Sequence, residues 1–310
     1  MKEQTKKKAL AKSAKKRERL ARIALLKNPT VLILYIVMWL YVFSLLFLGG
    51  WLVLSSLKNP MMFELFPFAL KDIPLSFENY VTAYNKLFVQ LPSSAEKIYF
   101  LGLFYNGLSY ALLSPLPGLF INACTAYICA KFKSPLTKII YGVVIVTMFI
   151  PLVGTTPATL LLYKKLKIYD SLIGILITHA GFGGTYFLVL TGCFGAVPDS
   201  LSEAAKIDGA SEARVMFSIN FRMVMTTMVG IYILNFIAAW NDFNTPLMYL
   251  PSRPTLAYGL WIFKSSSDSY VSQIPVQLSA VVLSMIPIVI IFVCLKKKIM
   301  GNLVVGGVKG

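Results

Sequence analysis

The chain has 310 residues, 57% of them hydrophobic and 14% charged, and its mean hydropathy is +0.70. A water-soluble globule with a polar exterior does not sustain that balance, so lipid is the expected solvent for most of the chain. The formal charge of +17 does not argue for nucleic acid, because 11 of the 30 Lys and Arg residues precede residue 28, ahead of the first apolar run, where they set orientation in a membrane.

The amino-terminal 30 residues read as a basic cytoplasmic tail that meets anionic lipid headgroups. The apolar run at 31–57 is too long for a signal-peptide core and stays as a first transmembrane helix. Residues 58–103 hold Pro60, Pro67, Pro74 and Pro92 among scattered charges and form an irregular external segment. Five further apolar runs follow, at 104–130, 136–162, 172–196, 224–250 and 278–295, each roughly the 20 residues a helix needs to cross a bilayer. They are apolar on every face rather than at period 2, which fits a helix bundle and not a lipid-facing β-barrel. The expected fold is therefore an all-α membrane protein of six transmembrane helices, with a core at 104–295 and a C-terminal tail at 296–310. An even number of crossings puts both termini on one side. With that side cytoplasmic, 21 Lys and Arg flank the spans inside and nine outside, in keeping with the positive-inside rule.

Within the spans, Pro115 and Pro117 bend the second, and Pro151 and Pro157 the third. The fourth contains THAGFGGT, residues 178–185, whose glycines permit close helix contact or a kink; His179, the single histidine, serves either packing or substrate passage. The fifth closes with Trp240, Asn241, Asp242 and Asn244. This group reads either as an interfacial aromatic and polar belt or as the lining of a solute pathway, where rings stack on apolar faces and amides bond hydroxyls. Cys124, Cys129, Cys193 and Cys294 lie in or beside apolar runs without CxxC spacing and read as reduced thiols. One histidine leaves almost no material for a His-containing metal cluster or a Ser-His-Asp triad, so no catalytic residues and no metal site are expected. No GxxxxGK[ST] loop occurs, so any nucleotide must be hydrolysed elsewhere.

The most organised connection is 198–222, PDSLSEAAKIDGASEARVMFSINFR, on the cytoplasmic side. Ser200 and Glu203 have capping-box spacing, so a short helix is expected from Leu201, with Gly209 in the left-handed position that stops it and Ser211 capping the next helix. Leu201, Ala204, Ala205 and Ile207 give it an apolar side. From composition alone it is either a solvated amphipathic helix on the membrane surface or a helix that docks in a partner's groove.

EAAKIDGA, residues 203–210, resembles the EAA loop of binding-protein-dependent ABC importers. The similarity extends from about residue 77 to the end: FENY at 77–80, AYICAKF at 126–132, MFIP at 148–151, WNDFNTPLMYL at 240–250, PTLAYGL at 254–260 and GNLVVGGVKG at 301–310 resemble the sugar-transporting branch, of the subtype with a VKG terminus. The resemblance implies a type I importer permease fold in the bacterial cytoplasmic membrane. It implies partners as well: a second homologous permease, a dimer of ATPase subunits that bind ATP and Mg, and an external sugar-binding protein. It makes Glu203, Ala204, Ala205, Asp208, Gly209 and Ala210 the ATPase-coupling residues. The chain departs from the family pattern at INFRMVMTTM, 219–228, which lacks the usual prolines, and in a longer external segment. An ion-gradient-driven secondary transporter is the alternative, but it calls for mid-membrane carboxylates or ion-coordinating breaks, and none stands out convincingly.

Overall fold

The computed structural model describes residues 28–69, 75–92, 94–150 and 154–303. The basic tail before residue 28, Lys71, Pro74, Pro151 and the closing 304–310 lie outside the described residues.

Helix α1, Pro29–Ser56, starts where Asn28 accepts a hydrogen bond from the Thr30 amide, followed by a proline in the first turn that needs no donor of its own. It is exposed along nearly its whole length and packs chiefly on the last helix. Its C-terminal end is the part tied down by hydrogen bonds. The Ser56 carbonyl accepts from Asn79 (2.9 Å) and Ser279 (3.0 Å), and the Trp51 indole donates to Pro67 (3.3 Å).

The described residues of 58–103 are more ordered than the prolines of that segment predict. It contains α2, Pro60–Leu65, and α3, Glu78–Lys86, followed by an antiparallel hairpin of β1, Phe88–Gln90, and β2, Lys97–Tyr99. Lys58 is buried there, its ammonium donating to the Pro67 carbonyl at 2.6 Å.

The second apolar run is two helices end to end, α4, Phe100–Leu113, and α5, Pro115–Lys131. Pro115 and Pro117 each remove a donor from the helical ladder, so the joint falls at Ser114. The third run gives α6, Pro135–Phe149, opened by a reciprocal Ser134–Thr137 capping box, and then α7, Thr155–Lys165, entered through Gly154 at φ +76°. Pro157 sits in the first turn of α7, where it does no harm.

The fourth run is also broken, into α8, Leu172–Thr178, and α9, Gly184–Gly195. Gly183 and Gly184 have φ of +128° and +72°, which side-chain-bearing residues rarely adopt, so the glycines make a break rather than a bend. After the loop helix α10, Asp199–Ile207, the chain enters α11, Glu212–Asn241, which includes a π-helical turn at Val215–Asn220. Helices α12, Asn244–Tyr249, α13, Leu256–Lys264, and α14, Ile274–Leu303, complete the chain.

The six expected spans are thus not six unbroken helices. Among the described residues three helices are long and apolar enough to cross a membrane: Pro29–Ser56, Phe100–Lys131 and Glu212–Asn241. Helices α6 and α9 and the first part of α14 are apolar but shorter. Interruptions of this kind are tolerated at membrane depth where protein or a polar cavity meets the freed backbone groups.

Three buried clusters hold the described part of the bundle, two of them extensive. Near the 198–222 loop, Ala123 and Ala126 of α5 let α9 approach closely, and Phe187, Leu190 and Phe194 of α9 are fully buried against Phe221 and Val224 of α11. At the other end, Trp240 of α11 meets Phe104 edge to face (centroids 5.9 Å) among Leu103, Leu256 and Phe263.

Candidate coupling surface and membrane cavity

Helix α10 does not start with the expected capping box. It begins at Asp199, two residues after Val197, with Pro198 as the cap residue and no side-chain cap bond. Proline fixes φ at −58° and launches the helix directly, and Asp199 puts a negative charge in the first turn, where the helix dipole favours it. Its end does follow the expectation. Gly209 has φ +83°, its amide donates to the Lys206 carbonyl (3.0 Å), and the Ala210 amide donates to that of Ala205 (2.9 Å). Those two bonds form a Schellman stop. Ser211 caps the following turn, accepting from the Arg214 amide at 3.4 Å.

Helix α10 is held by its edges. Lys131, at the end of α5, donates to the Val197 carbonyl (2.6 Å) and to Asp199 (2.7 Å). That ammonium holds the Asp199 carboxyl below its usual range. Across the Gly209 stop, Lys206 pairs with Glu212 at 2.5 Å, which raises the Lys206 pKa. On the bundle side, Asn220 is fully buried; its amide donates to Ser202 (3.1 Å) and to the Val215 carbonyl within the π turn (3.2 Å). The opposite face meets nothing. No residue of α10 is buried, Ile207 is 86% exposed, and Glu203, Ala204 and Asp208 are exposed with it. A helix braced at its edges that leaves Leu201, Ala204 and Ile207 uncovered beside Glu203 and Asp208 presents the mixed surface a docking element needs.

The five pathway candidates are not brought together. Trp240 is buried in packing and, with Asn241, borders an apolar cleft of about 650 Å³ between α11, α13 and α14. Asn241 spends its amide on the Ile237 carbonyl (2.8 Å). Asp242 accepts from the Thr245 amide in the first turn of α12 (3.0 Å) and from the Tyr110 hydroxyl (3.0 Å), and Asn244 is exposed. His179 stands apart from all four, at the break between α8 and α9. There it borders a cavity of about 200 Å³ with Ser114, Gly118, Asn122, Tyr186 and Asn235. The break seats directly on α5: a Cβ on Gly118 would stand 2.7 Å from the His179 carbonyl oxygen, and Asn122 Oδ1 accepts from the Gly183 amide at 2.8 Å.

Asn122, Asn235, Lys131 and Asn220 were not singled out by sequence. The signal for the first two was an amide in the middle of an apolar run, in INACTAY and YILNFIA, where a polar side chain is costly unless it has work to do.

Residues 122–299 match the family described as binding-protein-dependent transport system inner membrane component, and the chain belongs to that family. It is thus a membrane-embedded subunit of such a transport system. Among its relatives are the arabinooligosaccharides transport system permease protein AraQ of Bacillus subtilis, 28% identical over 76% of this chain and 80% of that one. The diacetylchitobiose uptake system permease protein NgcG of Streptomyces coelicolor is 24% identical over 81% and 80%. The fold is shared with a chain of a bacterial ABC transporter involved in the import of the acidic polysaccharide alginate, with a TM-score of 0.68 and 19% identity over 87% of this chain and 98% of that one.

Proposed function

We propose that this chain is one of two permeases of an ATP-driven sugar importer in the bacterial cytoplasmic membrane, of the type I fold, with six crossings and both termini cytoplasmic. The observation that carries the reading is the uncovered face of α10, braced by Lys131, Asn220 and the Lys206–Glu212 pair. Glu203, Ala204, Ala205, Asp208, Gly209 and Ala210 form the surface that docks in a cleft of the ATPase subunit. ATP and Mg are bound there, and this chain holds no cofactor of its own. An external binding protein delivers the solute. The names of the relatives, which transport arabinooligosaccharides and diacetylchitobiose, support a sugar or oligosaccharide as that solute.

Nucleotide-driven closure of the ATPase pair carries α10 with it, and the two permeases swing between inward and outward opening. The free energy of the swing comes from the difference in contact that the two ATPase states make with α10. The test is affinity capture of the full-length chain from its native membrane in mild detergent, with mass spectrometry of what is retained. A second six-span permease and a Walker-motif ATPase are expected. The chain recovered alone or only with itself overturns the reading and returns the ion-gradient transporter.

A further inference from the structure

We propose that the cavity beneath the α8–α9 break is a subsite for a single uncharged sugar ring, so that this permease itself grips the solute in transit. The inference rests on the sugar-import reading and adds where, and through which groups, the sugar is held. The argument comes from size, charge and the pattern of free hydrogen-bonding groups.

The cavity is about 200 Å³. At roughly 30 Å³ per water that is room for about six or seven waters, the bulk of one pyranose or furanose ring and less than the 300 Å³ or more of a drug-sized site. An oligosaccharide would present one residue at a time. The residues lining it include no Asp, Glu, Lys or Arg, so nothing in the wall neutralises an anion or balances a metal ion.

The wall does supply hydrogen-bonding groups of both senses. Asn122 uses its Oδ1 on the Gly183 amide, which leaves its NH2 as a donor. Asn235 is the reverse: its NH2 donates to the Ile231 carbonyl (2.9 Å), which leaves Oδ1 as an acceptor. His179 Nδ1 lies 2.9 Å from the Ile175 carbonyl, and a carbonyl only accepts, so Nδ1 carries a proton and Nε2 is the nitrogen left for a ligand. Tyr186 and Ser114 contribute hydroxyls of either sense. A set of donors alone would select an anion, and a set of acceptors alone a cation. The mixed set matches a polyol, in which every hydroxyl both gives and accepts. His179 is exposed, so the cavity is open on that side.

The free groups of the wall call for a ligand. Free amides, a hydroxyl and an imidazole nitrogen inside an apolar bundle are costly unless they meet a polar partner. Glycine at 118 lets the unwound backbone come close enough to make the floor of the cavity.

The experiment uses the complete importer in proteoliposomes, with arabinotriose, diacetylchitobiose and maltotriose, each radiolabelled, as probes. Two variants, Asn235→Leu and His179→Phe, are compared with the wild type for sugar imported per ATP hydrolysed. About a tenfold fall in that ratio, the worth of one or two hydrogen bonds to a neutral ligand, is expected with ATP hydrolysis retained. An unchanged ratio overturns the subsite while leaving sugar import standing. An assembled, ATP-hydrolysing wild type that imports none of the three overturns the sugar reading and the subsite with it. A second measurement does not depend on transport surviving. In a chain whose four cysteines are replaced by alanine, Asn235→Cys is labelled with a permeant methanethiosulfonate, with and without the imported sugar. Slowing of labelling by threefold or more supports the subsite, and a rate indifferent to sugar overturns it.

Discussion

Replacing Gly209 in turn with asparagine, alanine and valine separates the shape of the coupling loop from its contacts. A Cβ added at this position meets no atom within 4 Å, so none of the three variants collides with the rest of the chain. What changes is the backbone, which must hold φ near +83° to keep the two bonds that close α10. Alanine in that left-handed region costs about 1–2 kcal/mol, asparagine less, and β-branched valine more. If the closed α10 is the form that docks, those energies appear as weakened association. The fall is about 5- to 30-fold for alanine, smaller for asparagine and larger for valine. The assay is biolayer interferometry of the purified ATPase subunit against the permease pair in nanodiscs. Equal affinity for glycine and valine would refute the reasoning, and so would an asparagine variant as weak as valine.

The remaining predictions probe the brace and the face. Ile207→Glu changes a side chain that is 86% exposed, so the detergent-solubilised chain should melt within about 1–2 °C of the wild type while ATPase capture is lost; a large drop in melting temperature would place Ile207 in the fold instead. Glu203→Lys leaves α10 formed but reverses a charge on its open face, and sugar import should fall; wild-type import removes Glu203 from coupling. Asn220→Ala removes the bond to Ser202 at a cost of about 1–2 kcal/mol, so amides of α10 should exchange with deuterium at least fivefold faster; unchanged exchange would mean Asn220 does not hold the loop. The two ion pairs set a pH expectation. Asp199 has a lowered pKa, so its contribution is fully present above the ordinary carboxylate value of about 3.9 and is lost as pH falls through the lowered one. Lys206 has a raised pKa, so its contribution is fully present below about 10.4 and is lost as pH rises through the raised one. ATPase capture should therefore be constant from pH 5.5 to 8.5, and a transition inside that window would assign the loop's stability to some other group.

How much of this was legible in the sequence differs by kind of signal. Gly209 and Ser211 could be read because each satisfies a local backbone demand, a positive φ in one case and an orphan amide in the other. Ser200 misled for the same reason: its spacing from Glu203 is right, but Pro198 starts the helix earlier, so no cap is needed where Ser200 stands. Hydropathy found the apolar runs and missed their breaks, since a window average over THAGFGGT registers composition and not the φ of Gly183 and Gly184. Of the pathway candidates, Trp240, Asn241, Asp242 and Asn244 were marked by aromatic and amide side chains side by side, and His179 by the glycine-rich stretch around it. The cavity brings His179 together with Asn122 and Asn235, residues far apart along the chain, and these two amides are isolated polar interruptions of apolar runs.

The loop and the cavity are joined by one element. Helix α11 begins just beyond the Gly209 stop, donates a hydrogen bond to Ser202 of α10 from Asn220, and carries Asn235 to the cavity 15 residues later, about 22 Å at the rise of an α-helix. The π turn at Val215–Asn220 lies between the brace and the regular part of that helix. A π turn is a local departure from the i to i−4 ladder and a recurring feature of functional sites in helices. Asn220 bonds across it to Val215, and its remaining Oδ1 is buried without a partner, so this joint is the least satisfied part of an otherwise well-packed region. If an ATPase subunit docks on α10 as proposed, a displacement of α10 reaches this π turn first and then the regular part of α11, which carries Asn235 to the cavity. For coupling, that order matters. A rigid joint would move α11 only as far as the whole bundle could tilt, whereas a π turn that relaxed toward the regular ladder would let the proposed ATPase partner alter the cavity without first unpacking Phe187, Phe194 and Phe221.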